Sequence, residues 1–296
     1  MDRKAQGESL LETAVEYETT NDTTLLVNVW FELLQLQGAN RWIESARKKN
    51  HLKDNWKDSF TCRSVPPLVV RDPALQSFAD HAPRVKNPKP DVTYGFDQNA
   101  FSGFEQHING KYGAELSLNM DHPFFLVELV GVTEPLDKAE NQCARGGAAM
   151  VRLKRKFDRL AEGTYHDTEA QHGQDKGREQ LAEQTSHKTE KNPVDHYQVD
   201  TKSFAFSLAI HASDATMFVH WAEEAFSEEG HLLTINWHAS HLTQYFLRDA
   251  AGWIDLNRDV ENVLDWGVWT RKQEMKDLCN QIYAREGSNK KLQAMV

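Results

Sequence analysis

The stretch PFFLVELVG (123–131), within HPFFLVELVG (122–131), decides the fold class, because it is the most apolar run of the chain and is bounded by proline and glycine. A short apolar run with such boundaries is typical of a central strand that is buried on both faces. Other segments have strand composition as well, namely DVTYGF (91–96), SFAFSLAI (203–210), TMFVHW (216–221) and HLLTINW (231–237). The sequence therefore predicts a sheet built around residues 122–131.

Two long segments have the spacing of amphipathic helices. Apolar residues recur every three or four positions over 137–161, directly after the apolar strand, and again at about 255–285. Because helices and strands follow each other in mixed order, we expect an α+β domain with a three-layer core, in which a central mixed β-sheet is flanked by helices.

The ends of this domain are predicted from composition. Residues 1–60 are expected to form an N-terminal helical extension, which includes the segment RWIESARKKNHLKDNW (41–56), and residues 61–296 to form the main domain. Residues 161–196 are polar and nearly free of apolar side chains, which predicts a flexible insertion.

Composition limits the class of protein. The chain has 296 residues, 40% of them hydrophobic, and a formal net charge of −10. This charge argues against a protein that coats nucleic acid, although residues 41–96 carry 11 basic and 6 acidic side chains and leave room for a nucleic-acid cleft. The three cysteines form no disulfide framework, and no run of 18 apolar residues is present. We expect an intracellular protein, nuclear or cytoplasmic, that does not enter the membrane.

A carboxylate stands inside the most apolar strand. Glu128 in this position needs partners or a metal ion, since an isolated buried charge is strongly disfavoured. Asp91 follows Pro90 at the start of another predicted strand, from which it can place a second carboxylate beside Glu128. Carboxylate and backbone carbonyl oxygens are the ligands that Mg²⁺ prefers.

The pattern Pro90-Asp91, Glu128-x-Val130 and Gln142 resembles the PD-(D/E)XK nuclease superfamily, which has the restriction-endonuclease-like fold. It is most similar to the fungal nuclease-like members, a family of uncharacterised function. The resemblance covers roughly residues 85–285 and includes the segments ENQCARGGAAMV (140–151) and DVENVLDWG (259–267).

The resemblance implies a site and a cofactor. Asp91 and Glu128 would bind Mg²⁺ or Mn²⁺, and Leu129 would add its backbone carbonyl. Gln142 would lie beside the site near the start of the following helix, where the helix dipole favours phosphate. The expected activity is that of a magnesium-dependent phosphodiesterase acting on DNA or RNA.

The sequence departs from the superfamily at its lysine, because Val130 occupies that position. Valine cannot donate a hydrogen bond, and losing one transition-state donor typically slows a reaction by about 10²–10³-fold. We therefore expect a catalytically impaired nuclease-like protein with weak metal-dependent nucleic-acid binding or hydrolysis. Three alternatives stay open: a relocated lysine such as Lys138 or Lys111, a pseudo-nuclease scaffold that binds other proteins, and a purely structural Glu128 paired with Arg145.

Basic residues on the predicted helix after the strand form a second candidate site. They recur at intervals of seven, joined by one further lysine, and are Lys138, Arg145, Arg152, Lys156 and Arg159. They either contact the phosphates of DNA or RNA or form the solvated flank of an amphipathic helix.

Overall fold

A computed structural model describes residues 52–56, 88–112, 120–131, 133–164, 196–211, 213–226 and 232–293. The strands are β1 (Leu52–Trp56), β2 (Val92–Phe96), β3 (Asp121–Leu129), β4 (His196–Val199), β5 (Ala205–Ile210), β6 (Asp214–Phe226) and β7 (Leu232–Phe246). The helices are α1 (Gly103–Tyr112), α2 (Leu136–Glu162), α3 (Ala250–Trp266) and α4 (Lys272–Gln293), with a π-helical segment (Gly267–Arg271) between the last two.

The seven strands form one mixed sheet. β1, β2 and β3 pair antiparallel, β3 and β5 pair parallel, and β5, β6 and β7 pair antiparallel. β7 pairs along one edge of β6. The opposite edge of β6 pairs with β5 over its first half and with β4 at its end. The parallel pair β3 and β5 is joined through α2, which is the crossover that parallel neighbours require.

The core of the molecule lies between this sheet and its helices. β3 is the central element, since every residue from His122 to Glu128 is buried, and its parallel neighbour β5 is buried except at Phe206. α2 packs on β3, β5 and β6, and α4 packs on α1 and α2. The protein is thus an α+β fold with a mixed sheet flanked by helices, as the sequence predicted.

Helix α2 is clearly delimited and lies very close to the sheet. It begins after Pro135 and ends at Gly163, whose left-handed backbone (φ 72°) lets its N–H bond to the carbonyls of Arg159 and Leu160. In the middle of the helix, a Cβ on Gly147 would lie 2.2 Å from the imidazole of His220 on β6. The absence of a side chain at Gly147 therefore lets this part of α2 approach the sheet.

Several sequence predictions are confirmed and others are wrong. The strands at 91–96 and 122–131 and the helix over 137–161 are present. The helical prediction was wrong for Leu52–Trp56, which form β1, because antiparallel pairing with β2 overrides a helical composition. The single final helix is two helices that meet at the π-helical segment, and β6 and β7 extend far beyond the predicted strands because they pair along most of their length.

The remaining predictions on domain limits fall mostly outside the described residues. This applies to the rest of the N-terminal extension and to most of the insertion predicted over 161–196. At the two ends of that insertion, α2 continues through Glu162 and β4 begins at His196. None of the helices in the described ranges is long and apolar enough to cross a membrane.

The close contact at Gly147 yields a stability prediction. Gly147→Ala should lower the free energy of unfolding by about 1–3 kcal/mol, because the added methyl group clashes with the buried His220 ring. Gly110→Ala is the matched control: a Cβ at Gly110 on α1 meets nothing within 4 Å, so this variant should gain about 0.5–1 kcal/mol. Urea unfolding measures both, and equal effects would contradict the tight packing of α2.

Candidate functional site

The structure brings Asp91 and Glu128 together at one end of the β2–β3 pair. The antiparallel register pairs Val92 with Val127, which places Asp91, one residue earlier, beside Glu128, one residue later. The backbone N–H of Leu129 donates a hydrogen bond to Asp91 Oδ2 over 2.8 Å. Although 36 residues separate Asp91 from Glu128 in the sequence, the pairing of β2 with β3 makes the two acidic residues neighbours.

Glu128 is buried without a full set of partners. Its side chain is 2% exposed, on a strand held between β2 and β5, and its Oε1 atom is buried without a hydrogen-bond partner. Burial and the nearby charge of Asp91 raise the pKa of Glu128 from its usual 4.5 to about 9, and the charge of Arg145 opposes this rise only in part. A carboxylate in this state is costly to the fold.

Arg145 is the positive charge that acts on Glu128. It lies on α2, two residues after the buried Cys143 and beside the glycines where the helix meets the sheet. Its Nε and Nη2 atoms are buried and have no hydrogen-bond partner, and burial lowers its pKa. Arg145 therefore influences Glu128 through space, without an ion pair between their side chains within the described part of the chain.

The oxygen atoms of Asp91 and Glu128 are of the chemical type that binds Mg²⁺ in proteins. Asp91 and Glu128 offer carboxylates, and Leu129, which follows Glu128 and binds Asp91 through its N–H, also has a backbone carbonyl. Mg²⁺ is commonly bound by one or two carboxylates, with water completing its octahedral shell. Across the described ranges, no group of three or more His, Cys, Asp or Glu side chains is arranged to hold a metal ion. A metal ion at this site would therefore be held by two carboxylates, and the oxygen of Glu128 without a partner would be one of its ligands.

The lysines that could replace the missing one are engaged elsewhere. Lys138, on the first turn of α2, forms an exposed ion pair with Glu134, and it is absent from the charges that act on Glu128. Lys111 pairs with Glu286 on α4 over 2.6 Å. Both lysines thus have ion-pair partners outside the Asp91–Glu128 contact, and the relocation hypothesis stays a prediction. Gln142 is half-buried on the second turn of α2 and is not part of the Asp91–Glu128 contact.

The predicted phosphate-binding stripe on α2 is partly used by the fold. Arg159 and the neighbouring Arg155 both bind Glu224 on β6, and Arg155 also binds Asp200 over 2.9 Å. Arg152 and Lys156 are half-buried farther along the same helix. Arg145 thus differs from Arg155 and Arg159, because its buried donor atoms have no carboxylate partner.

Sequence reasoning did not find a buried polar cluster that joins α1, β3 and α4. His122 Nε2 lies 2.8 Å from Asn109 Oδ1, and the Cys279 thiol donates to the same oxygen over 3.2 Å. Burial, reinforced by the charges of Arg271 and Lys154, lowers the pKa of His122 to about 3, and burial raises that of Cys279 to about 12. Because His122 and Cys279 are both neutral and buried, this cluster stabilises the core and is not a nucleophilic site.

Comparison with known families gives one match. The sequence matches DUF7924, a domain of unknown function, over residues 12–279. The chain belongs to this family. No curated protein and no solved structure matches the chain.

The unpartnered state of Glu128 yields a prediction on stability. Because its pKa is raised, the folded protein keeps a proton that the unfolded chain releases, so Glu128 lowers stability progressively as the pH rises from 4.5 towards 9. Glu128→Gln removes this penalty. At pH 7 it should raise the free energy of unfolding by on the order of 1–3 kcal/mol, and the gain should shrink towards pH 4.5.

Glu224→Gln is the matched control, since Glu224 is also on the sheet but is paired with Arg155 and Arg159. It should destabilise the protein by about 1–3 kcal/mol, because two guanidinium groups lose a charged partner. Chemical unfolding across this pH range measures both variants. A loss of stability in Glu128→Gln at pH 7, similar to that of Glu224→Gln, would show that Glu128 is a structural ion-pair residue.

Proposed function

We propose that this chain is a PD-(D/E)XK-related protein of the restriction-endonuclease-like fold, whose Asp91 and Glu128 bind Mg²⁺ or Mn²⁺ and act on the phosphodiesters of DNA or RNA. The observation that carries the proposal is the buried, unpartnered Oε1 of Glu128 beside Asp91. If residue 128 served only to pack within the strand, an apolar side chain at this position would make the fold more stable. Retention of a carboxylate there favours a ligand that compensates its charge.

The order of elements also supports the proposal. Asp91 directly precedes β2, Glu128 is the penultimate residue of β3, and a long helix follows that packs back on the same sheet. This agrees with the sequence pattern on which the resemblance rests. The mixed sheet flanked by helices is the architecture that the resemblance implies.

The chemistry would be the hydrolysis of a phosphodiester to a phosphomonoester and an alcohol. The oxygen of water forms a bond to phosphorus, the ester P–O bond breaks, one proton of the water ends on the leaving oxygen and the other is released. A cation bound by the two carboxylates supplies positive charge that offsets the charge developing on the phosphate. Asp91 is held by the Leu129 amide, so its carboxylate is oriented before any ligand arrives.

The rate is expected to be low. Val130 is 2% exposed and its N–H donates to the carbonyl of Ile210, so position 130 contributes packing and no side-chain donor. One missing preorganised donor corresponds to a loss of about 10²–10³-fold in rate. The net charge of −10 also opposes tight binding of a polyanion.

A second candidate function is a pseudo-nuclease scaffold that binds other proteins. It is favoured by the buried Val130 and by the ion pairs that hold Lys111 and Lys138 elsewhere. The scaffold has no need of a metal, so it predicts that Mn²⁺ does not change the melting temperature.

The test is metal-dependent hydrolysis of labelled single- and double-stranded DNA and RNA. Wild-type protein with Mn²⁺ should cleave at least one of these slowly, and Mn²⁺ should raise its melting temperature. Asp91→Asn and Glu128→Gln should each lose both effects, with cleavage reduced at least about 10²-fold. Asp255→Asn on the exposed face of α3 is the control and should behave as wild type.

Two results would contradict the proposed site. One is cleavage that persists unchanged in both Asp91→Asn and Glu128→Gln, which would point to a contaminating nuclease or another site. The other is a wild-type protein that shows neither cleavage nor a Mn²⁺-dependent melting shift, which would favour the scaffold.

A further inference from the structure

Two arginines of α2 differ in the partners of their guanidinium groups. Arg155 binds Asp200 and Glu224, as a buried guanidinium in a stable core normally does. Arg145 has two buried nitrogen atoms, Nε and Nη2, without any hydrogen-bond partner. Two guanidinium N–H donors that are buried and unpaired are costly, so their position calls for a reason other than stability.

The two unpaired atoms of Arg145 are the two donors on one edge of the guanidinium. The N–H groups of Nε and Nη2 point in the same direction and form a fork that matches two oxygens of one phosphate or carboxylate. Glu128 is close enough for its charge to be felt by Arg145, yet the fork does not close on it. The unpaired fork and the unpaired oxygen of Glu128 thus lie in the same site.

Charge balance indicates what fits between them. A divalent cation bound by ionised Asp91 and Glu128 makes the three groups neutral together. The half-buried Arg145 then adds one positive charge, which repels the cation unless an anion joins the site. A phosphodiester carries one negative charge and two non-bridging oxygens, so it matches both the charge and the fork.

We propose that Arg145 binds the non-bridging oxygens of a phosphodiester through its Nε and Nη2 edge and so supplies, from helix α2, the cation that is missing at Val130. This inference rests on the proposed function and names the residue that holds its substrate. The position differs from that of the absent lysine, because the charge comes from the helix and not from β3. Arg145 would touch the substrate and would be a catalytic residue for the proposed hydrolysis.

The inference is tested with three variants and two separate readouts. The variants are Arg145→Gln, Arg145→Lys and, as a control that removes an exposed arginine of α3, Arg258→Gln. The first readout is the shift in melting temperature with Mn²⁺ alone. The second is the anisotropy of a short fluorescent single-stranded oligonucleotide in Ca²⁺, followed by its cleavage rate in Mn²⁺.

Arg145→Gln should keep the Mn²⁺ shift, because both carboxylates remain, and should melt no lower than wild type, because two buried donors without partners are removed. Its affinity for the oligonucleotide should fall by about 10–100-fold, the loss expected for a charged two-point hydrogen bond. Arg145→Lys should recover the affinity only in part, since an ammonium group keeps the charge but has no fork. Arg258→Gln should match wild type in every measurement.

The outcomes separate this inference from the proposed function. If Arg145→Gln keeps the Mn²⁺ shift and also the wild-type affinity and cleavage rate, the inference is wrong and the metal site stands. If Arg145→Gln melts well below wild type, Arg145 is a structural partner of Glu128 and the inference is wrong as well. If wild-type protein shows no Mn²⁺ shift and no oligonucleotide binding, the proposed function fails together with the inference.

Discussion

The register between β2 and β3 is the constraint on which the rest of the site depends. Pairing of Val92 with Val127 and the hydrogen bond from the Leu129 amide to Asp91 fix two acidic residues at the same end of two strands. β3 is held on its other side by the parallel strand β5 and is covered by α2. Glu128 therefore cannot move to solvent without disruption of the central strand of the sheet.

The cost of this arrangement is local. Elsewhere on the same helix and sheet, buried charges are paired: Arg155 with Asp200 and Glu224, and Lys154 with Asp158 over 2.6 Å. Among the described carboxylates of the sheet, Glu128 alone combines a raised pKa, an oxygen without a hydrogen-bond partner and a nearby arginine whose buried donors are also without partners. Groups that lower stability in the absence of a ligand are concentrated at functional sites, which is the physical basis of the metal and phosphodiester proposals.

Much of this site could be predicted from the sequence. Asp91 at a strand start and Glu128 inside an apolar strand carry information because carboxylates are rare in such surroundings, and the resemblance supplied their order. Their adjacency follows from a strand register that sequence does not contain. The helix over 137–161 was predictable from its apolar period, since α2 buries one continuous face.

What the sequence could not reveal depends on long-range contacts. The ion pairs of Lys111 with Glu286 and of Lys138 with Glu134 are known only from the structure. Arg145 is one of several basic residues at intervals of seven, and it differs from Arg159, which binds Glu224, because its buried Nε and Nη2 atoms have no partner. The adjacent glycine pair was the available signal, because it marks where the helix comes nearest to the sheet. β1 was assigned to a helix for the same reason, since its partner β2 lies some 40 residues away.

The most direct test of the central claim is a crystal structure of the protein grown or soaked with Mn²⁺, with the ion located by its anomalous scattering. If Asp91 and Glu128 bind the ion, an anomalous peak lies between their carboxylates, at about 2.1–2.3 Å from an oxygen of each. A peak at this position must disappear in Glu128→Gln crystals treated in the same way. Absence of the peak in wild-type crystals, with the guanidinium of Arg145 bound directly to Glu128, would contradict the account.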